Sequence, residues 1–125
     1  MKKDYSVQIV EGSKEFTGKQ AVMIKDTQNS LGLNDLTKDG EFVFKPIDYA
    51  VLEIHNEKSE NKDYTVYVFI TADGDMYSTS STNLFETIVD IMSDMADCSE
   101  DWGIRVFQKP SKNRSGQTFL TCSVC

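Results

Sequence analysis

A mostly β domain with one helix, its elements in the order β-β-β-α-β-β, is what this 125-residue chain predicts. Three observations carry that expectation. Residues 64 to 70, YTVYVFI, alternate between two faces with the period of a strand. Residues 82 to 96, TNLFETIVDIMSDMA, place Leu84, Phe85, Ile88, Ile91, Met92 and Met95 along one helical stripe. Residues 104 to 124 hold two apolar runs around KPSKNRSG, whose Pro, Ser, Asn and Gly favour turns, so they read as a β-hairpin. The length suits a single domain over residues 1 to 125, long enough to bury a core.

Taken in order, residues 5 to 10 (YSVQIV) and 20 to 25 (QAVMIK) are short β-like runs, with room for an additional N-terminal strand. Residues 26 to 41, DTQNSLGLNDLTKDGE, read as a long polar loop of the kind that is usually functional or mobile. Residues 42 to 56, FVFKPIDYAVLEIHN, form a long strand bent at Pro46, because proline cannot donate to a ladder and belongs at an edge or bulge. The charged run at 57 to 63 is a turn. Asp73-Gly74-Asp75 marks a tight turn, after which Met76-Tyr77-Ser78 either return as a short strand or continue past a bulge. Ser80 to Asn83 supply helix N-caps, with Asn83 and Glu86 at capping-box spacing, and Glu86, Asp90, Asp94 and Asp97 lie opposite the apolar stripe.

A helix between the third and fourth strands is the arrangement of the OB-fold, a small, partly open five-stranded barrel. The expected architecture is therefore an OB-fold-like barrel. In that fold nucleic acid lies across strands 2 and 3 and between two loops, here the 26 to 41 segment and the 110 to 116 tip.

Charge is unevenly distributed. The protein has a formal charge of −7, yet residues 105 to 125 contain Arg105, Lys109, Lys112 and Arg114 and no acid. Residues 63 to 104 hold nine acids and neither Lys nor Arg. Along the hairpin, strand alternation puts Arg105, Phe107 and Lys109 on one face and Ile104, Val106 and Gln108 on the other. On the return strand Leu120, Cys122 and Val124 point inward, and Phe119, Thr121 and Ser123 outward. Pairing Lys109 with Gln117 would set Phe107 opposite Phe119 and Arg105 opposite Thr121. A face of cations and rings suits single-stranded nucleic acid, since cations neutralise phosphates and rings stack on bases for ~1–3 kcal/mol each. The competing reading is a solvated charged loop whose phenylalanines belong to the core. The residues expected to stack are Tyr67, Phe107 and Phe119; those expected at phosphates are Lys45, Arg105, Lys109, Lys112 and Arg114.

One further pattern spans residues 42 to 124. A strand carrying Tyr77-x-Thr79-x-Ser81 precedes a helix opening at Leu84-Phe85. Then come Trp102-Gly-Ile-x-Val-Phe, Lys109-Pro-Ser-Lys-Asn-x-x-Gly116 and Phe119-Leu-Thr-Cys. Together these resemble small single-stranded DNA-binding proteins of Gram-positive phages and mobile elements. The resemblance implies an OB-fold accessory of phage replication or recombination. Bacterial single-strand-binding proteins end in an acidic partner-binding tail, whereas this sequence keeps its acids on and around the helix. Contact with replication or recombination proteins would then fall to the acidic helix face, and homo-oligomerisation is left open.

Other classes are weaker. The chain contains neither a P-loop nor a dinucleotide fingerprint. His55 is the only histidine and stands at a charged strand end, where a solvent-exposed or locally bonded imidazole is expected before a general base, which needs an orienting partner and a nucleophile. Asp73 and Asp75 read as a turn before they read as metal ligands. Cys98, Cys122, Cys125 and His55 would just suffice for a tetrahedral metal site, but cysteines three apart in a strand point to opposite faces. The expectation is no catalysis, no metal and no cofactor. No segment approaches the ~20 apolar residues of a membrane span or a signal-peptide core, which gives a cytoplasmic expectation in the host cell. The main competitor to DNA binding is an acidic, phage-type inhibitor that docks on a basic host protein or imitates nucleic acid.

Overall fold

The computed structural model describes residues 4–110 and 118–125, and these are mostly β with three short or medium helices. Strands are β1 (Tyr5–Gly12), β2 (Ser30–Gly32), β3 (Phe42–Phe44), β4 (Pro46–Asn56), β5 (Asp63–Thr71), β6 (Met76–Thr79), β7 (Ile104–Pro110) and β8 (Thr118–Val124). Helices are α1 (Gly18–Lys25), α2 (Leu33–Leu36) and α3 (Thr82–Asp94).

The strands form two sheets rather than one barrel. Five pair in the order β1-β4-β5-β6-β2, and three in the order β3-β7-β8. The chain from Phe42 to Asn56 runs through both, as β3 in one sheet and β4 in the other. Its corner is at Lys45 and Pro46, where the proline is fully buried and the β4–β5 register shifts between Pro46 and Asp48. A residue with no N–H to offer the ladder stands where the ladder changes sheet. Closure fails because the outer edge of the small sheet, β8, runs beside α3 instead of pairing with β1 or β2. The expected closed OB-type barrel is thus replaced by two sheets sharing one bent strand.

Alternation along β5 explains the two cores. Val66, Val68 and Ile70 pack with Ala50, Leu52, Ile54 and Ile24 of α1 on one side of the large sheet. Phe69 points to the other side and packs with Leu84, Ile88, Phe44, Ile104 and Val106, which come from α3 and the small sheet. Helix α3 follows its predicted stripe, and Ser81 caps it by accepting from the Leu84 N–H at 3.2 Å. Turn geometry at Gly74, with φ of 89°, lets β6 return antiparallel on β5 as a short strand.

Two expectations in the N-terminal third are corrected. Residues 20 to 25 belong to α1, not to a strand. An apolar run of four, Ala21 to Ile24, fits either period, and as a helix it buries Ile24 under the large sheet while leaving Val22 and Met23 exposed. The 26 to 41 stretch is not a loop throughout. It holds a 3-10 turn at Thr27–Asn29, the short parallel strand β2 on β6, and α2 with its buried Leu33.

Candidate nucleic-acid interface

The outer face of the small sheet is built by β7 and its two neighbours. Val43 of β3 pairs with Arg105, while β8 pairs Ser123 with Arg105, Thr121 with Phe107 and Phe119 with Lys109. This register differs by two residues from the one expected. A slip of two leaves every side chain on its face, where a slip of one would have reversed them all. Ile104 and Val106 are fully buried beneath, with Leu120 and Cys122 packed against the same core. Val124, expected inside, is exposed at the strand end.

On that face the rings and cations touch. The Arg105 guanidinium lies 5.2 Å from the centre of the Phe107 ring, and Lys109 Nζ lies 5.9 Å from it. Phe119 is 48 % exposed beside Lys109, the most open ring of the set. Arg105 is held by a bond from Nη2 to Ser123 Oγ at 3.3 Å, and its Nε stands 3.8 Å from Glu41 Oε2, too long for a hydrogen bond. At the corner of the sheet, Lys45 Nζ sits 5.3 Å from the centre of the Trp102 ring. Among the described residues neither Lys45 nor Lys109 is ion-paired. Lys112 and Arg114 lie outside the described residues.

Tyr67 does not join this face. It is only 9 % exposed, its ring stacks on Phe85 at 4.2 Å, and its hydroxyl bonds with Thr82 Oγ1 at 2.9 Å. Helix α3 covers the half of the large sheet that Tyr67 faces, so its ring serves the core and is withdrawn from the stacking set. Glu41 and Val43 belong to the face but were missed, and Trp102, packed against the core beneath, meets it through Lys45. Val43 could have been found only from the β3–β7 register, which no local pattern reveals.

Gln108, on the inner side of β7, donates to the Asn34 carbonyl at 3.1 Å and to Thr37 Oγ1 at 3.0 Å, and accepts from Thr118 Oγ1 at 3.0 Å. Segment 26 to 41 does reach the hairpin, but behind the sheet. His55 has a different setting at the far end of the large sheet. Its Nδ1 is 2.8 Å from Asp63 Oδ1 and its Nε2 is 2.7 Å from Glu57 Oε1. Those bonds hold the imidazole pKa above its ordinary value, with Asp63 contributing most, and push the Glu57 carboxyl down. A histidine bonded at both nitrogens is a structural clip, with neither nitrogen free to move a substrate proton.

A face of cations set against half-open rings, on an otherwise acidic molecule, has the combination of groups that single-stranded nucleic-acid surfaces use. A family model described as phage single-stranded DNA-binding protein, of the phi29 type, matches residues 8–125, nearly the whole chain. The chain belongs to that family. No curated protein and no solved structure matches it. Among the described residues no helix is long and apolar enough to cross a membrane.

Proposed function

We propose that the protein binds single-stranded DNA without regard to sequence, through the outer face of the β3-β7-β8 sheet, and protects strands opened during phage replication or recombination. The observation that carries this reading is Phe107 held between Arg105 and Lys109 with the exposed Phe119 beside them. Magnitudes favour exchange of partners on DNA binding. An exposed cation–π contact contributes ~0.5–1 kcal/mol, and a base stacked on a ring ~1–3 kcal/mol. A base therefore displaces a cation from Phe107, and the released cation is already within reach of the adjoining phosphate. Lys45 extends the cationic track at the corner of the sheet, and Lys112 and Arg114 remain candidate phosphate contacts from the sequence alone.

The test is an oligo(dT) titration at two salt concentrations. The wild type should bind, with affinity falling steeply as salt rises. Arg105→Ala/Lys109→Ala should lower the slope of log K against log salt by about 1.4, two phosphate contacts at roughly 0.7 each. A double variant with wild-type affinity and slope would remove these residues from the interface.

A further inference from the structure

Between the first turns of α3 and strand β8 runs a cleft of about 420 Å³. We propose that it is a nucleobase subsite, filled by one base of the strand whose backbone crosses the outer face of the small sheet. The inference rests on the single-stranded DNA reading and adds to it a specific pocket.

Three features point this way. First, the lining residues carry no formal charge, although the basic hairpin lies on one side and the acidic flank of α3, with Glu86 and Asp90, on the other. Among the described residues a phosphate has no cation lining the cleft to meet, whereas a neutral, flat, hydrogen-bonding group does not need one. Second, the composition suits a base. Leu84, Leu120 and Cys122 supply an apolar floor, while Asn34, Asn83 and Thr121 supply side-chain groups that have no hydrogen-bond partner among the described residues. An asparagine amide both donates and accepts, so it can satisfy any of the four bases. Third, the cleft is continuous with the proposed DNA face. Phe119 belongs to both, and residues from both faces of β8 line the cleft, so it follows the unpaired edge of that strand. Backbone N–H and C=O groups on such an edge are free to bond a ligand. A strand that stacks one base on Phe119 delivers the next to this opening.

The experiment compares the wild type with Asn83→Leu/Thr121→Val, two substitutions near the surface that remove polar groups with little change in bulk. Binding is measured to oligo(dT) and to an abasic deoxyribose-phosphate chain of equal length. The double variant should lose on the order of tenfold in affinity for oligo(dT), keep the wild-type salt slope, and bind the abasic chain as the wild type does. Equal losses on both chains, or none on either, would overturn the subsite. A second measurement needs no variant: oligo(dT) carrying single 5-iodouracils is photo-crosslinked to the wild type. Attachment within residues 81 to 87 supports the cleft, and attachment confined to Phe107 and Phe119 refutes it. Failure of the wild type to bind oligo(dT) at all would instead sink the function itself.

Discussion

Two strands of this protein carry the same local signature and meet opposite fates. In β5, Tyr67 and Phe69 alternate with aliphatic residues; in the hairpin, Phe107 follows Val106 and Phe119 precedes Leu120, each again set between residues of the opposite face. The β5 aromatics lie beneath α3, where Tyr67 stacks on Phe85 and Phe69 is fully buried. The hairpin aromatics face outward, and cations fill the space a helix fills in the other case. Alternation tells only that a strand has two faces. What covers each face is decided by segments distant in sequence, and the neighbouring charges are the better guide. Tyr67 is flanked at alternate positions by Thr65 and Phe69, and Phe107 by Arg105 and Lys109.

That contrast can be broken by substitution. Tyr67→Ala should cost about 3–5 kcal/mol of stability, because it empties a buried aromatic site, and chemical denaturation measures the loss. If Tyr67→Ala stayed fully stable but lost DNA binding, the assignment of the two faces would be reversed. Phe119→Ala should do the opposite, weakening oligo(dT) binding by ~1–3 kcal/mol with little effect on the denaturation midpoint. Phe107→Ala should behave similarly in binding. A smaller effect is expected at Glu41, whose carboxylate neighbours the Arg105 guanidinium and repels an incoming phosphate. Glu41→Gln should raise affinity about two- to fivefold at low salt, the range of an exposed ion pair, and the gain should fade as salt rises.

The smallest effect belongs to His55, remote from both aromatic faces. Its folded pKa is raised, so its contribution is fully present below the unfolded value of ~6.5 and is lost as pH rises through the folded value. His55→Asn should therefore be less stable than the wild type near about pH 6 and equal to it near about pH 9. A difference that grew with pH would refute the clip formed with Asp63 and Glu57.

How much of this was legible follows from the range of each signal. The division of the hairpin into a basic aromatic face and an apolar one could be read because period two survives any even slip in register. Helix α3 was legible from its stripe, and the corner at Pro46 from a missing N–H. The separation into two sheets was not, because the β3–β7 and β2–β6 pairings join residues tens of positions apart. Nor was α1, whose short apolar run fits two periods. The candidate site divides along the same line. Arg105, Phe107, Lys109 and Phe119 share the outer face as expected, whereas placing Tyr67 required knowing where α3 lands.

The bent strand at Pro46 also orders events in time. Strands β4, β5 and β6 pair with near neighbours in sequence, so the centre of the large sheet can assemble through short loop closures. The hairpin joins the rest of the sheet structure through only three β3–β7 register pairs, Phe42 with Val106, Val43 with Arg105 and Phe44 with Ile104, each closing a loop of about sixty residues. The proposed DNA face is therefore expected to be the last part of the sheet structure to consolidate during folding, and the first whose amides exchange with solvent in the native state. A strand bound across β7 and β8 as proposed would slow that exchange, so the region expected to fold last would be the one its ligand stabilises most.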